Sequence, residues 1–356
     1  MRKTAAPGLQ AVGVPLTLHP MEARLAAELP AGAGWQYEPK WDGFRCLAFR
    51  AGREVEIKAK SGKSLARFFP EVLDNLRALA TPHLVLDGEL TIASTEAHSF
   101  TALQSRLHPA ASRIRRLAAE APATFIAFDC LLHAPGKPLL SLPFAARRRA
   151  LEAVFARGLG KARGLALTPF TRDLARARQW LSGRHARLDG IIAKRLELPY
   201  QPGVRAMLKV KCLRTADCVV GGFRYETRSH LVGSLLLGLY DQAGLLHHVG
   251  FTSSIPAREK PGLTKHLKSL MAPPGFTGSA PGGDSRWRSE RSSAWQPLRP
   301  CLVAEVRYDQ VSDDRFRHGT KFVRWRPDKC PRQCTFDQLV PPAAIPADRG
   351  IDSLRA

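Results

Sequence analysis

The sequence predicts an α+β domain followed by a small β-barrel, and three observations carry that expectation. Short period-two runs rich in Val, Ile, Leu and Phe alternate with amphipathic helical patterns over the first two thirds of the chain, without a strict βαβ rhythm. From about Thr215 the texture changes to strand signals alone. The 356 residues, 44% of them apolar, suffice for two ordinary cores at roughly 150 residues per domain.

Each element follows from its own residues. Pro7, Gln10 and Pro15 interrupt any apolar core behind Met1-Arg2-Lys3, so residues 1–16 read as a short tail and not a secretory start. Leu84–Ile92, Thr124–Leu132, Leu188–Arg195 and Ala206–Lys211 read as buried strands. Phe69, Val72, Leu73, Leu76 and Leu79 recur at helical spacing around a Pro70 start, and Leu142–Phe155 gives a second amphipathic helix. Five strand signals then suit a barrel: Asp217–Glu226, His230–Tyr240, Leu245–Thr252, Cys301–Gln310 and Thr320–Arg326. Pro273–Ser293, with Arg286, Arg288 and Arg291, reads as a basic surface loop, and residues 341–356 as a tail.

Lys and Arg number 54 against 31 Asp and Glu, a formal charge of +23, which calls for a polyanionic partner. Arg113–Arg116, Arg147–Arg149 and Arg286–Arg291 are candidate phosphate contacts. The longest apolar stretch, Leu231–Tyr240, is broken by Gly233, Ser234 and Gly238 and falls short of the roughly 20 residues that a bilayer requires, so no membrane partner is expected. Seven cysteines spread along the chain suit the reduced state of a cytoplasm. Cys330-Pro-Arg-Gln-Cys334 is half of a zinc pattern without a second pair and is read as two incidental thiols.

The chemistry concentrates in EPKWDGFR, residues 38–45, where Lys40 sits between acidic residues in a turn bearing Trp41 and Phe44. Downstream come VLDGELTI (85–92), FIAFDCLL (125–132), LDGIIAKR (188–195), MLKVK (207–211) and FVRWRPDK (322–329). Each places carboxylates or cations in or at the end of an apolar strand, where one alone would simply face water.

In this order the segments resemble the signature blocks of the covalent nucleotidyltransferases, and among them the ATP-dependent DNA ligases, nearest to the small stand-alone bacterial type C enzymes. The resemblance runs from about residue 17 to 340. It implies an ATP-grasp-like nucleotidyltransferase (adenylation) domain over 17–212 and an OB-fold domain over 213–340. It also implies three steps: lysine takes AMP from ATP, passes it to a 5′-phosphate at a nick, and the 3′-hydroxyl displaces AMP. Lys40 would be the nucleophile. A lysine of ordinary pKa, about 10.4, is neutral about 4 times in 10,000 at pH 7, a handicap of roughly 4.6 kcal/mol that neighbouring cations would relieve.

Residue by residue, the resemblance implies that Glu38 reads the adenine amino group, Arg45 contacts ribose and phosphate, and Phe128 stacks on the base. Lys60, in AKSG, stands where the family usually has Arg, which keeps the charge but loses a bidentate fork. Glu89 matches the carboxylate near ribose and metal. Asp189 stands where Glu is more usual as a ligand of Mg²⁺ or Mn²⁺. Arg205, Lys209 and Lys211 match phosphate-binding cations. Arg324, Arg326, Asp328 and Lys329 match the block that orients the leaving pyrophosphate, and the pivot for its domain is expected near Arg214–Asp217. Nicked duplex DNA is the expected partner of a monomer, with a repair polymerase or end-binding protein as a further partner. An RNA ligase, a GTP-using capping enzyme and a non-catalytic OB module remain alternatives at this point. Trp41 and the RPDK ending argue for the DNA group.

Overall fold

The computed structural model describes residues 8–92, 99–133, 137–158, 164–181, 188–282, 294–312 and 314–339. The chain divides into two compact units between Cys212 and Leu213.

In the first unit the elements run β1 (Ala23–Leu25), β2 (Trp35–Lys40), β3 (Phe44–Ala51), β4 (Glu54–Ala59), α1 (Pro70–Ala78), β5 (His83–Ile92), α2 (Ser99–Arg106), α3 (Ala111–Glu120), β6 (Ala123–Leu132), α4 (Phe144–Gly158), β7 (Leu165–Leu167), α5 (Leu174–Leu181), β8 (Gly190–Arg195) and β9 (Met207–Lys211). They build a five-stranded sheet in the order β4-β3-β5-β6-β7 and a four-stranded sheet in the order β1-β9-β8-β2.

Period two decides what lies on each face. In β3, Cys46 and Ala48 face a core completed by Val72 and Leu76 of α1 and by Leu151 and Phe155 of α4. Leu47 and Phe49 point the other way, to a second core shared with Met207 and Tyr200 of the smaller sheet's side. The large sheet is therefore buried on both faces, which explains the nearly unbroken apolar run of β6. Ile191, Leu208 and Val210 cover the outer face of the small sheet against Ala177 and Trp180 of α5.

The second unit contains β10 (Arg214–Tyr225), β11 (Val232–Tyr240), β12 (Leu246–Thr252), α6 (Lys260–Ser269), β13 (Gln296–Pro297), β14 (Val303–Tyr308), β15 (Val311–Ser312), β16 (Arg315–Phe316) and β17 (Lys321–Trp325). Its sheet runs β12-β11-β10-β14-β17, and a parallel bridge between Thr252 and Thr320 joins its two outer strands into the expected barrel.

Several expectations are corrected. Residues 8–16 are not a tail: Val12 and Val14 are buried in the core shared with Leu132, Tyr200 and Met207, and the Leu9 amide donates to Glu54. Lys40 closes β2 and does not sit in the turn, because β2 pairs with β8 through Lys40↔Gly190. The second unit is not strands alone. Pro261 and Gly262 mask α6, whose Leu263 and Leu267 pack on the barrel core. Arg214–Asp217 lies within the regular β10/β14 pairing, which leaves Cys212 and Leu213 as the only residues between β9 and β10. Arg147 and Arg148 are buried, Arg147 on the Asp129 carboxylate, so only Arg149 of that cluster meets solvent. Arg286, Arg288 and Arg291, with the 341–356 segment, lie outside the described residues.

Candidate active site

Two glycines set the local geometry. A Cβ on Gly43 would stand 2.0 Å from the Leu90 carbonyl oxygen, so only glycine lets the turn between Lys40 and Arg45 lie on β5. Gly190 has φ +153°, and a Cβ there would stand 2.1 Å from the Val210 oxygen. Opposite Gly190, the Lys40 carbonyl accepts from the Asp189 amide at 3.1 Å, and Lys40 Nζ donates to Asp189 Oδ2. The other carboxylate oxygen, Oδ1, is buried without a hydrogen-bond partner.

A cavity of about 240 Å³ opens between the two sheets of the first unit. It is lined from the small sheet by Glu38, Lys40, Lys194 and Lys209, and from the large sheet by Arg45, Glu89 and Phe128, with Lys60 at its edge. Alternation along β2 places Gln36, Glu38 and Lys40 on one face.

Two residues before Lys40 on the same face of β2, the Glu38 carboxylate is almost wholly buried. It accepts from Lys194 Nζ at 2.6 Å and from Gln36 Nε2 at 2.8 Å, with Arg148 Nη1 at 3.8 Å. Lys194 Nζ also donates to the Phe128 carbonyl at 3.1 Å and lies 4.7 Å from the centre of the Phe128 ring. The Arg45 guanidinium lies 4.4 Å from the same ring centre.

Arg45 is held from behind. Its Nε and Nη2 donate to the two oxygens of Asp87 at 2.7 Å each, and Nη2 also donates to the Met21 carbonyl at 3.2 Å. Burial alone would lower its pKa, but the Asp87 charge and hydrogen bonds outweigh burial and raise it. Glu89, opposite Arg45 in the β3/β5 register, is pushed up to about 7 by burial, against the pull of Arg45 and Lys40. Burial, then Lys40 and Lys211, lowers the Lys209 pKa. Lys60 pairs with Glu22 at 2.9 Å, a hydrogen bond that holds the Glu22 carboxyl below its usual range.

Not every expected residue reaches this cavity. Arg205 is largely exposed, with its Nε 3.7 Å from Glu22, and Lys211 ends β9 opposite Gly190; neither lines the cavity. In the second unit Arg326 Nη1 donates to both Asp217 oxygens at 3.0 and 3.1 Å, and Lys329 Nζ donates to Asp217 at 2.7 Å. Asp328 accepts from Arg326, which draws its pKa down to about 2. Arg324 pairs with Glu305 at 2.7 Å. Asp217 thus gathers Arg326 and Lys329, a role the sequence did not reveal.

Gln36, Asp87, Arg148, Lys194 and Tyr200 were also missed. Asp87 and Lys194 stood in the quoted strands, and counting back from Lys40 by twos would have found Gln36. Arg148 and Tyr200 carried no local signal.

Oxygen donors suit a hard divalent cation. Asp189 Oδ1 is buried without a hydrogen-bond partner and Glu89 lines the cavity, and both are oxygen donors of the kind such an ion takes. Among the described residues no group of three or more His, Cys, Asp or Glu side chains gathers that could hold a metal on its own.

A lysine lining a cation-rich cleft between two sheets, followed by a barrel, defines a covalent nucleotidyltransferase with an OB-fold domain. The ATP dependent DNA ligase domain matches residues 20–211, and the ATP dependent DNA ligase C terminal region matches 228–329. The chain belongs to the ATP-dependent DNA ligases. It is 44% identical to DNA ligase C1 of Mycolicibacterium smegmatis, over 91% of this chain and 94% of that protein. It is 41% identical to DNA ligase C of Mycobacterium tuberculosis, over 94% and 97%. The solved structure of a Lig E DNA ligase, 16% identical, shares the fold with a TM-score of 0.50 over 86% of this chain and 99% of that one.

Proposed function

We propose that this ligase seals nicked duplex DNA through AMP carried on Lys40. The observation that supports it most is the placement of Lys40 Nζ on Asp189 in a cavity that Arg45, Lys60 and Lys209 also line. Nζ must shed a proton before it attacks the α-phosphorus of ATP, and Asp189 already accepts from it. The attack forms a P–N bond and releases pyrophosphate, while Arg45, Lys60 and Lys209 hold the phosphate oxygens. The P–N bond breaks when a 5′-phosphate oxygen attacks phosphorus and the amine leaves protonated. The 3′-hydroxyl then closes the phosphodiester and expels AMP.

Glu38, kept in place by Lys194 and Gln36, meets the adenine amino group, and Phe128 lies against the base. Glu89 and Asp189 would hold Mg²⁺ or Mn²⁺, which supplies positive charge to the phosphates. Arg205 and Lys211 lie beyond the cavity and serve the phosphates of DNA or of the ATP tail. Arg324, Arg326, Asp328 and Lys329 orient the leaving pyrophosphate. The enzyme acts as a monomer in the cytoplasm on repair nicks, with a repair polymerase or end-binding protein as its partner.

Incubation with α-labelled ATP and Mg²⁺ or Mn²⁺ should leave label on the denatured protein, lost in Lys40→Ala and chased by nicked duplex. Label from GTP alone, or label that persists in Lys40→Ala, would refute the reading.

A further inference from the structure

Arg45 does not hold its own position. The guanidinium reaches the cavity only because a closed set of buried groups clamps it, and one member of that set comes from a distant part of the chain. Tyr200, in the segment before β9, is buried, and its hydroxyl donates to Asp87 Oδ2 at 2.7 Å. The same hydroxyl accepts from the Met21 amide at 2.9 Å. Asp87 takes the Arg45 fork, and Arg45 Nη2 returns to the Met21 carbonyl. The circuit Tyr200–Asp87–Arg45–Met21 joins β3, β5, the lead into β1 and the segment before β9.

Each link is directional. Asp87 is fully buried and needs its donors; Met21 offers an amide and a carbonyl at fixed spacing. A tyrosine hydroxyl is the one side-chain group here that donates to a carboxylate and accepts an amide at once. With Nε and Nη2 committed to Asp87 and Met21, Nη1 is, among the described residues, the edge of the guanidinium left for a ligand in the cavity that Arg45 lines. The Arg147 guanidinium lies 5.6 Å from the Tyr200 ring centre and is itself fixed on Asp129, which gives the ring a rigid seat.

We propose that the Tyr200 hydroxyl, acting through Asp87, is a positioning group that sets Arg45 for the ribose and phosphate of ATP. This rests on the reading of Lys40 and Arg45 given above. Phenylalanine at this position would keep the ring and the packing. It would remove one donor from Asp87 and orphan the Met21 amide, so the Arg45 fork gains freedom without losing its charge. A contact made equally to bound ATP and to the transition state appears in KM, not in kcat.

Self-adenylation of Tyr200→Phe should therefore show a KM for ATP raised about tenfold, the scale of one lost hydrogen bond to a charged group, with kcat within about threefold of the parent. Asp87→Asn, which also removes the counter-charge of Arg45 and turns an amide donor toward it, should raise KM further than Tyr200→Phe does. In an Arg45→Lys background, which has no fork to orient, Tyr200→Phe should add little further, because residues of one network are not additive. A lower melting temperature in Tyr200→Phe with an unchanged KM, or effects of Tyr200→Phe and Arg45→Lys that multiply, would overturn the inference while leaving Lys40-dependent labelling intact. Label that persists in Lys40→Ala would instead overturn the underlying reading.

Discussion

Lys194→Met removes one half of a buried ion pair that lines the cavity. Lys194 and Glu38 are 4% and 2% exposed at the side chain and 2.6 Å apart. Methionine nearly matches the lysine stem in volume, so packing against Phe128 and Phe144 persists. What remains is a carboxylate without its main cation, supported by Gln36 Nε2 and by Arg148 at 3.8 Å. Breaking a buried pair costs about 3–5 kcal/mol, and with Arg148 still nearby the expected loss is about 3 kcal/mol. At roughly 2 kcal/mol per molar urea, the midpoint should fall by about 1.5 M. Adding Glu38→Gln removes the stranded charge, and the double variant should return to within about 1 kcal/mol of the parent. Self-adenylation should stay depressed in both variants, because the carboxylate proposed to meet the base is displaced in one and lost in the other. Urea titration by circular dichroism and α-labelled ATP provide the two readouts. A single variant within about 0.5 kcal/mol of the parent, or a double variant no more stable than the single, would refute the electrostatic reasoning.

Gly43→Ala should destabilise the first unit by about 2–3 kcal/mol and abolish self-adenylation, since the added methyl meets the Leu90 oxygen at 2.0 Å and pushes Lys40 and Arg45 apart; denaturant titration and labelling check both. Asp217→Asn should slow transfer from ATP about tenfold by releasing Arg326 and Lys329, and should leave sealing of a pre-adenylated nick near the parental rate in single-turnover assays. His248 is buried, accepts from Arg315 through Nδ1, and is pushed down from 6.5 to about 3 by burial, then by Arg315 and Arg224. Its depressed pKa means that the unfolded state alone takes up a proton as pH falls below 6.5, so stability present above that pH is lost toward pH 3. Glu89, pushed up to about 7, works in the opposite sense over the same range, so the readout is the difference between parent and His248→Gln: from pH 7 to 5 the parent should lose about 2 kcal/mol relative to the variant in urea titrations.

Six elements of the first unit, β5, β6, β8, β9, α1 and α4, were legible because each carries its own period. β5, β6, β8 and β9 begin within two residues of where alternation placed them, and α1 starts at Pro70 as its residues require. α6 was hidden because Pro261 and Gly262 occupy its first turn, and residues 8–16 looked like a tail because burial of Val12 and Val14 depends on a surface made elsewhere. Lys40 and the blocks that follow it stood out as polar residues in apolar strands. Arg147 looked like a phosphate contact because nothing near it in the chain announces Asp129.

Residue type and local spacing alone determined the division into a mixed domain and a barrel and the need for a polyanion, while the choice of Lys40 came from the resemblance of its block and those that follow to a known family. Tertiary structure alone decided which charges meet. Asp189 lies 149 positions from Lys40, and Tyr200 lies 113 positions from Asp87. The physical reason is one of range. Periodicity is written by neighbours in the chain, whereas a buried ion pair or hydrogen bond is set by strand register and sheet packing, which bring together residues that share no local pattern.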